Sequence, residues 1–371
     1  MKEKTESTGR KILRCVLRTL LVLFTLVVLI VAGLVMACQL IFNGPSESAR
    51  DVLTMTLMEA SATKWIPGLF IGQEKVAEIQ ARSEVSLPEE ISNTSQIVIS
   101  DASSSLSDEW ADYPDGIRIE TVYGSTYIGH VMIIRDPSTV YLATSTTEFS
   151  MDVPGARMNH QFEKEGAIAG INGGGFYDDF TTNAYVGSLP LGLVVSNGEV
   201  LYDSTESLAD DRTQITGFAG FNEDDILIVA SSMDTETAKE LNIRDGCSYG
   251  PVLVMNGVIN ETEYNSNSDY NPRTAIGQRA AGAVIFVAID GRQMGSLGGT
   301  YADIIDIMVE YGAVNACNLD VGASSTMMYK DTYGRYGEAG QTIYVNSSYL
   351  LQEAPRRIPT FFMVRASESE E

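Results

Sequence analysis

The sequence has few of the residues that bind transition metals, and it is short of basic residues. Its 371 residues include two histidines and four cysteines, and no CxxC or HExxH spacing occurs, so the spacings typical of zinc sites are missing. Asp and Glu number 49 against 25 Lys and Arg, a net charge of −24. Because DNA and RNA are polyanions, this balance excludes nucleic acid as the expected partner.

The few cysteines also limit what disulfides can do. Cys15 and Cys38 border or lie in an apolar N-terminal run, whereas Cys247 and Cys317 are 70 residues apart in the rest of the chain. Cys317 lies in an apolar, strand-like segment, so we expect Cys247 and Cys317 to be small buried side chains. A bond between these two cysteines stays open as the alternative.

Charge is entirely missing from residues 20–42. An apolar run of 23 residues is long enough to cross a bilayer as a helix. Six basic and two acidic residues precede it, so the positive-inside rule predicts a cytoplasmic N-terminus (1–18), a single transmembrane anchor (19–42) and an extracellular remainder. Two alternatives are a cleaved signal peptide, whose apolar region is usually shorter, and a lipoprotein whose Cys38 follows a poorly matching cleavage box.

Residues 43–116 are expected to form a helical stem and linker. Apolar spacing predicts helices over 49–61 and 73–81, and the Ser-, Asp- and Glu-rich stretch 83–115 has the composition of a mobile linker. Beyond residue 42 the chain has 19 basic and 47 acidic residues, a net charge of about −28 that suits a solvated surface. The last five residues, 367–371, form an acidic tail.

Residues 117–366 have the texture of a large, mostly β domain. Short runs rich in Val, Ile, Tyr and Thr alternate with Gly, Pro, Asn and Asp. Asn197-Gly198 and Asn256-Gly257 predict two-residue hairpin turns, and Thr300 is placed to cap a helix over 301–311. We therefore expect an α+β (mixed α/β) fold with a few crossover helices.

Two segments combine small residues with polar side chains. In residues 315–330 an apolar run ends in Asn318 and Asp320 and is followed by a small-residue turn, which lets a ligand approach the backbone closely. In residues 169–179 an apolar strand runs into Asn172 and three glycines, which permit backbone conformations closed to other residues. The alternatives are a tight hairpin for the first segment and a β-bulge for the second.

Two carboxylates and an arginine complete the set of candidate groups. Asp290 and Asp320 each follow an apolar strand, and if these strands were parallel neighbours the carboxylates would share one edge of the sheet, where ligands usually bind. Arg273 follows a proline and can donate two hydrogen bonds to a phosphate. His130 lies within a strand and is expected to be a hydrogen-bonded structural residue.

Taken together, these segments resemble the phosphodiester glycosidase family over residues 117–364. Each fragment is weak alone, but all of them occur in the family's order. The matching pieces are Ile171-Asn172-Gly173-Gly174-Gly175-Phe176, Pro190-Leu191-Gly192, Gly250-Pro251-Val252-Leu253, Pro272-Arg273-Thr274-Ala275-Ile276-Gly277, Asp290-Gly291-Arg292, Asn318-Leu319-Asp320 with Gly322, Ser324, Ser325 and Thr326, and Asn346 with Arg356, Arg357 and Pro359.

The resemblance implies a hydrolase that cleaves a sugar from a sugar-1-phosphodiester in a cell-surface polysaccharide, wall polymer or glycolipid. It implies catalytic roles for Asp320, then Asp290, as the carboxylate beside an oxocarbenium-like centre, and for Arg273 as a phosphate ligand. Asn172 and Asn318 would hold sugar hydroxyls. The remaining implied substrate-binding residues are Gly173, Gly174, Phe176, Gly322, Ser324, Ser325, Thr326, Arg356 and Arg357.

The sequence departs from the family at the turn after Asp320. Val321 and Ala323 stand where the family usually has glycine, and a β-branched residue resists positive φ. This departure supports the alternative of a non-catalytic carbohydrate-binding or exopolysaccharide assembly factor. No cofactor is expected; a divalent cation is compatible with the many acids, but no ligand spacing supports one. A serine hydrolase is disfavoured because no GxSxG elbow is present.

Overall fold

The computed structural model describes residues 8–59, 63–83, 91–99, 108–177, 187–204, 215–266, 268–347 and 355–366. The chain divides into two compact units, Met1–Ser83 and Glu84–Glu371. The predicted acidic tail, 367–371, lies outside the described residues, as do 84–90 and 100–107 of the predicted linker.

The first unit is helical. Residues Leu17–Phe42 of its first helix have a mean hydropathy of 3.1 over the most apolar window, which makes this helix, within the described part of the chain, long and apolar enough to cross a membrane. A signal sequence near the N-terminus meets the same criteria. The predicted helices over 49–61 and 73–81 are confirmed in the described residues, and residues 60–61 of the first prediction lie outside them. The helices are α1 (Thr8–Phe42), α2 (Glu47–Glu59), α3 (Ile66–Ile71) and α4 (Gln73–Ser83).

The second unit is built mainly of antiparallel strands. These strands are β1 (Ile117–Tyr123), β2 (Ile128–Ile134), β3 (Val140–Thr144), β4 (Ala156–Arg157), β5 (Ala169–Asn172), β6 (Leu193–Ser196), β7 (Glu199–Asp203), β8 (Gly217–Asn222), β9 (Leu227–Ala230), β10 (Ile243–Tyr249), β11 (Val252–Met255), β12 (Val258–Ile259), β13 (Arg273–Arg279), β14 (Val284–Ile289), β15 (Ala313–Asn318), β16 (Met327–Asp331), β17 (Gln341–Tyr344), β18 (Arg357–Ile358) and β19 (Thr360–Val364).

Three sheets and a small ribbon result from their pairing within the described residues. The largest sheet has the order β1-β2-β14-β13-β15-β11-β12; a second has the order β7-β6-β10-β8-β9, and a third β17-β16-β5-β19-β3. The ribbon pairs β18 with β4. The helices of this unit are α5 (Met158–Glu165), α6 (Thr235–Glu240), α7 (Glu261–Tyr264) and α8 (Tyr301–Glu310).

The main core lies between the largest sheet and the two smaller ones. Met132, Phe286 and Ile276 of the largest sheet join Phe221 and Phe362 of the others in one buried cluster. On the opposite face of the largest sheet, the apolar side of α8 packs on a second buried cluster. The mostly β fold with a few helices, predicted from the sequence, is confirmed.

The strands that precede Asp290 and Asp320 are not neighbours, contrary to the expectation that required adjacent strands. Strand β13 lies between β14 and β15 and pairs antiparallel with both. Because β14 and β15 therefore run in the same direction, Asp290 and Asp320 still follow the same end of the sheet. Helix α8 is the crossover that connects the two strands. Thr300 caps its N-terminus as predicted, and Asp303 completes a capping box.

The compact β-rich unit begins before Ile117, the predicted start of the domain. Ile91 bridges to Ala230, and Ser92 Oγ accepts a hydrogen bond from Val229 N at 2.9 Å. Val98 N donates to Ala280 O at 2.8 Å. The described part of the predicted linker is therefore hydrogen-bonded to the domain, because its Ile91 and Val98 segments meet strand ends that composition alone does not reveal.

The local turn and cysteine predictions are confirmed. Asn197 and Gly198 have φ of 51° and 75°, and Asn256 and Gly257 repeat this with 54° and 75°, as a two-residue hairpin of the expected kind requires. Cys247 and Cys317 are both buried and free, so the disulfide alternative is set aside. Burial raises the pKa of the Cys247 thiol to about 12.

Candidate functional site

The backbone of Asp320 is fixed by the ends of three strands. Its N–H donates to Gly173 O at 3.1 Å, and its carbonyl accepts from Asn172 Nδ2 at 2.7 Å and from Thr274 Oγ1 at 2.8 Å. Asn172 ends β5, Thr274 begins β13, and Asp320 follows β15 after Leu319. Segments about 150 residues apart in the sequence therefore converge on one aspartate, as the motif interpretation required.

The side-chain amide of Asn172 forms hydrogen bonds with backbone groups. Besides its bond to the Asp320 carbonyl, its Oδ1 accepts from Thr326 N at 3.1 Å, and Asn172 N donates to Thr326 O at 3.1 Å. The side chain is completely buried. These contacts make Asn172 a support that joins both ends of the Asp320 turn, rather than a group facing sugar hydroxyls.

The turn after Asp320 accommodates Val321 and Ala323 without strain. Val321 is extended, with φ of −113°, and the next three residues form a 3-10 turn, Gly322–Ser324. Positive φ is needed at Gly322, where φ is 70°, and this chain retains glycine there. The departure from the family pattern thus falls at positions whose backbone angles tolerate a side chain, and the expected distortion of the turn is not seen.

The three consecutive glycines serve close packing. A Cβ at Gly173 would lie 2.5 Å from Thr360 Oγ1, one at Gly174 would lie 2.4 Å from Ser248 O, and one at Gly175 would lie 2.3 Å from the Tyr249 ring. These three glycines are not among the described residues with positive φ. The sequence identified the importance of the run correctly, but the reason is space and not backbone conformation.

Buried hydroxyl and amide groups surround the Asp320 turn. Asn318, Ser324, Ser325 and Thr326 are each at most 4% exposed. Asn318 Nδ2 donates to the carbonyls of Gly250 and Leu319 at 2.8 and 2.9 Å. Asn318 Oδ1 and Ser324 Oγ have no hydrogen-bond partner among the described residues. Because buried polar atoms are normally satisfied, these two oxygens are candidate acceptors for hydrogen bonds from a ligand or water.

Arg273 is completely buried on the other side of β13 from Thr274, since successive side chains of a strand alternate. Its Nε donates to Gly299 O at 2.7 Å, its Nη2 donates to Asp269 O at 2.9 Å, and the Asp269 carboxylate lies 3.3 Å away. The guanidinium stacks on Tyr301 at 3.9 Å from the ring centroid. Nε and Nη2 of Arg273 therefore donate to protein carbonyls, which limits the pair of parallel hydrogen bonds that the guanidinium can offer to a phosphate.

Glu263 on α7 is a second ionisable group in the vicinity of Arg273. Burial raises the pKa of its carboxyl to about 7, against an opposing effect of the Arg273 charge. A carboxyl with such a pKa changes its protonation state near neutral pH. Glu263 belongs to none of the motifs, so sequence reasoning missed this group.

Both carboxylate oxygens of Asp290 are occupied. Oδ1 accepts from Ser347 N at 2.7 Å, and Oδ2 accepts from Gln293 Nε2 at 2.7 Å. His130 Nε2 lies 3.3 Å from Oδ1, and its Nδ1 is 3.5 Å from Thr121 Oγ1. Asp290 is 5% exposed. His130 in β2 therefore contacts side chains of the two neighbouring strand segments, as expected of a hydrogen-bonded structural residue, but its carboxylate neighbour was not predicted.

The remaining predicted site residues are Phe176, which follows the glycines directly, and the two arginines Arg356 and Arg357 near the end of the domain. Arg356 stacks on Phe176 at 4.6 Å from the ring centroid, and it is partly exposed. Arg357 is exposed and donates from Nη1 to Gly155 O at 3.0 Å. Phe176 bridges to Pro190. Phe176 directly follows the three glycines, and Gly173 of that run contacts Asp320. Through its stacking on Phe176, Arg356 is therefore linked to the segment that contacts Asp320.

A family comparison agrees with this geometry. The phosphodiester glycosidase family model matches residues 165–365, more than half of the chain. The chain belongs to the phosphodiester glycosidase family. The matched segment contains Asn172, Arg273, Asp290, Asp320 and Arg356, whereas His130 lies outside it.

Two proteins similar to this chain are distant from it in sequence. Over 202 residues the chain is 24% identical to the SPbeta prophage-derived uncharacterized protein YomE of Bacillus subtilis (strain 168), covering 53% of this chain and 28% of the length of that relative. The fold is similar to the catalytic domain of zebrafish N-acetylglucosamine-1-phosphodiester alpha-N-acetylglucosaminidase, auto-inhibited by its pro-peptide. That match has a TM-score of 0.50 and 18% identity, and it covers 76% of this chain and 89% of the zebrafish chain.

Several contributors to the site were not selected from the sequence. Thr274 and Asn346 stood in the quoted motifs without a role, although each hydrogen-bonds the backbone of the Asp320 turn. Thr360 Oγ1 accepts from Gly174 N at 3.0 Å. Polar residues placed directly at strand ends were the available signal, but their partners are distant in the sequence. Among the described residues, no group of His, Cys, Asp or Glu side chains is arranged to hold a metal ion.

Proposed function

We propose that this family member hydrolyses a sugar-1-phosphodiester at the anomeric carbon, with Asp320 as the reacting carboxylate. The observation that carries this proposal is the position of Asp320. Its backbone is fixed by Gly173, Asn172 and Thr274, and buried hydroxyls follow it in the turn. Asp320 Oδ1 accepts a hydrogen bond from Val321 N at 3.0 Å, and Asp320 is less buried than Asp290. A carboxylate on a fixed backbone suits a developing positive charge.

The chemistry needs little acid assistance. When the bond between the anomeric carbon and the phosphate oxygen breaks, a phosphate monoester leaves with the bonding electrons, and it is already a weak base. The oxygen of water ends on the anomeric carbon, and Asp320 acts as the nucleophile or as the base that takes the water's proton. Asn318 Oδ1 and Ser324 Oγ then accept hydrogen bonds from sugar hydroxyls.

The phosphate end of the substrate is assigned to Arg356. This arginine is partly exposed and stacks on Phe176, so its positive charge is held where a phosphate can approach it. Arg357 is a second cation next to it in the chain. Arg273 is assigned no direct contact with the phosphate. Its buried positive charge stabilises the end of β13, next to the strand that leads to Asp320.

We infer further that the enzyme acts outside the cytoplasm, held to the cell membrane by residues 19–42. Support comes from the length and hydropathy of α1 and from the basic residues that precede its apolar part. The matching substrates are glycosyl phosphates of a surface polysaccharide, a wall polymer or a glycolipid. The non-catalytic alternative loses its main support, because Val321 is extended and Gly322 retains the required positive φ.

Turnover of methyl phosphodiesters of several sugars by the full chain in detergent tests the reaction. We expect Asp320→Asn to lower kcat by about a thousandfold or more, since an amide neither attacks nor takes a proton. Asp136→Asn is the matched control, because Asp136 caps the short turn Pro137–Thr139 in another part of the domain. Full turnover by a folded Asp320→Asn variant would remove Asp320 from the reaction.

A further inference from the structure

Residues 345–347, here called the strap, connect the edge of one sheet to the end of another. Strand β17 belongs to the third sheet, and the strap leaves its C-terminal end. Ser347 N donates to Asp290 Oδ1 at 2.7 Å, and Ser347 O accepts from Gly291 N at 2.8 Å. Asp290 follows β14 of the largest sheet, so both backbone groups of Ser347 are held by the loop after that strand.

The middle of the strap holds the segment that follows the Asp320 turn. Asn346 Oδ1 accepts from Met327 N at 2.7 Å, and its Nδ2 donates to Ser325 O at 3.1 Å. Val345 N donates to Met327 O at 2.8 Å. The peptide groups between Ser325 and Met327 are therefore fixed by the strap on one side and by Asn172 on the other.

We propose that Asp290 is a positioning residue, which acts on the Asp320 turn through Ser347 and Asn346 of the strap. Its two oxygens accept hydrogen bonds from Ser347 N and Gln293 Nε2, which accounts for a buried carboxylate without giving it contact with the substrate. This assignment rests on the proposed function for its effect on turnover. The path from Asp290 to the turn is a property of the fold and is measurable without substrate.

Replacing Asp290 by Asn and by Ala separates positioning from direct chemistry. An asparagine still offers one oxygen to Ser347 N, so we expect Asp290→Asn to retain kcat within about tenfold of the parent. Asp290→Ala releases the strap, and a misplaced turn lowers kcat by about a hundredfold with a smaller change in KM. A reacting carboxylate would instead make the Asn variant as inactive as the Ala variant, and this result would overturn the proposal.

Asp331 provides a matched control at the other end of β16. It is also buried, and its oxygens accept from the backbone N–H groups of Arg335, Tyr336 and Gly337 at 2.7 to 2.9 Å. Asp331→Ala removes the same kind of loop support far from the Asp320 turn. We expect it to lower stability while kcat stays near the parental value. An equal loss of kcat in Asp331→Ala and Asp290→Ala would show a general loss of structure and overturn the proposal.

Hydrogen exchange supplies a readout independent of turnover. The Met327 amide donates to Asn346, so its exchange is expected to accelerate in Asp290→Ala and in Asn346→Ala, and to stay unchanged in Asp331→Ala. If the parent cleaves none of the phosphodiesters, the proposed function fails, and the exchange pattern alone decides the positioning role. Unchanged Met327 exchange in folded Asp290→Ala would overturn it.

Discussion

At the scale of single residues, burial separates the charges that the fold encloses from those that reach solvent. Arg273 and Arg356 both belong to the motif pattern, yet Arg273 is completely buried beside Asp269, whereas Arg356 is partly exposed on Phe176. Asp290 is likewise buried, whereas Asp320 is only partly buried. The sequence showed which residue types matter, but the division of roles depends on hydrogen bonds to Asp269, Gln293 and Ser347.

The buried pair of Arg273 and Asp269 leads to a stability prediction. Arg273→Met leaves the Asp269 carboxylate buried without its cation, so we expect the free energy of unfolding to fall by about 3–5 kcal/mol. Urea denaturation measures this loss. In the double variant with Asp269→Asn, part of the stability should return.

Arg118→Met is the control for that change. Arg118 is partly exposed and pairs with Glu109 and Glu120 at the surface, so its loss is expected to cost at most about 1 kcal/mol. An Arg273→Met variant as stable as Arg118→Met would show that the buried pair contributes little.

Glu263 leads to a pH prediction. Since burial raises the pKa of this carboxyl from 4.5 to about 7, folding favours its protonated form, and the associated stability is lost as the pH rises from about 4.5 through about 7. Glu263→Gln cannot ionise. We expect this variant to be more stable than the parent at pH 8, by at most about 3 kcal/mol.

Denaturation midpoints at pH 5 and pH 8 test the sign of this effect. The advantage of Glu263→Gln should shrink towards pH 5, where the parental carboxyl is also protonated in the folded state. A parent that gains stability relative to Glu263→Gln as the pH rises would contradict the prediction. Asp234 is a useful contrast, because hydrogen bonds from Thr237 lower the pKa of its carboxyl.

At the scale of elements, the turn after Asp320 carries a prediction about the departure from the family pattern. Val321 is extended, a backbone conformation that valine adopts readily, so Val321→Gly relieves no strain in the folded turn. The glycine does increase the conformational entropy of the unfolded chain. We expect the free energy of unfolding to fall by about 0.5–1 kcal/mol and kcat to stay unchanged. Thermal unfolding and the phosphodiester assay measure both.

Gly322→Val is the opposite change in the same turn. Gly322 has φ of 70°, which a β-branched residue adopts only with strain, so this variant should lose both stability and turnover. If Val321→Gly raised kcat strongly, the valine would be the reason for a weakened site, and the non-catalytic alternative would regain support.

Elements defined by neighbouring residues were predictable, and those defined by distant partners were not. The Asn-Gly turns, the cap at Thr300 and the helices α1, α2 and α4 follow from local patterns and were found as expected, whereas helix α3 was not predicted. The insertion of β13 between β14 and β15 was missed, because strand order depends on pairing across the sheet. The strap was also missed, since Ser347 and Asp290 are 57 residues apart.

At the scale of the whole molecule, the family resemblance identified the domain that the comparisons then matched, while topology relative to a membrane remains a prediction. If α1 anchors the chain with its N-terminus inside, Cys15 should react with a membrane-impermeant maleimide only after lysis. A cysteine introduced by Glu199→Cys, at an exposed position of the domain, should react in intact cells. Buried Cys247 and Cys317 should stay unlabelled in the folded protein.

The opposite labelling pattern would reverse the proposed orientation. A mature chain shortened by the mass of its first residues would instead show that the apolar helix is a removed signal sequence. Both outcomes leave the proposed hydrolysis untouched, since Asp320 and its partners all lie in the second unit.

The meeting of Asn172, Thr274 and Asp320 has a consequence for how the chain acquires its competence. No short fragment contains these residues together with the strap, whose last member is residue 347 of 371. A growing polypeptide therefore cannot complete this arrangement until the strap has left the ribosome. The order of synthesis delays assembly of the Asp320 turn until residues from all of these segments are available to fold.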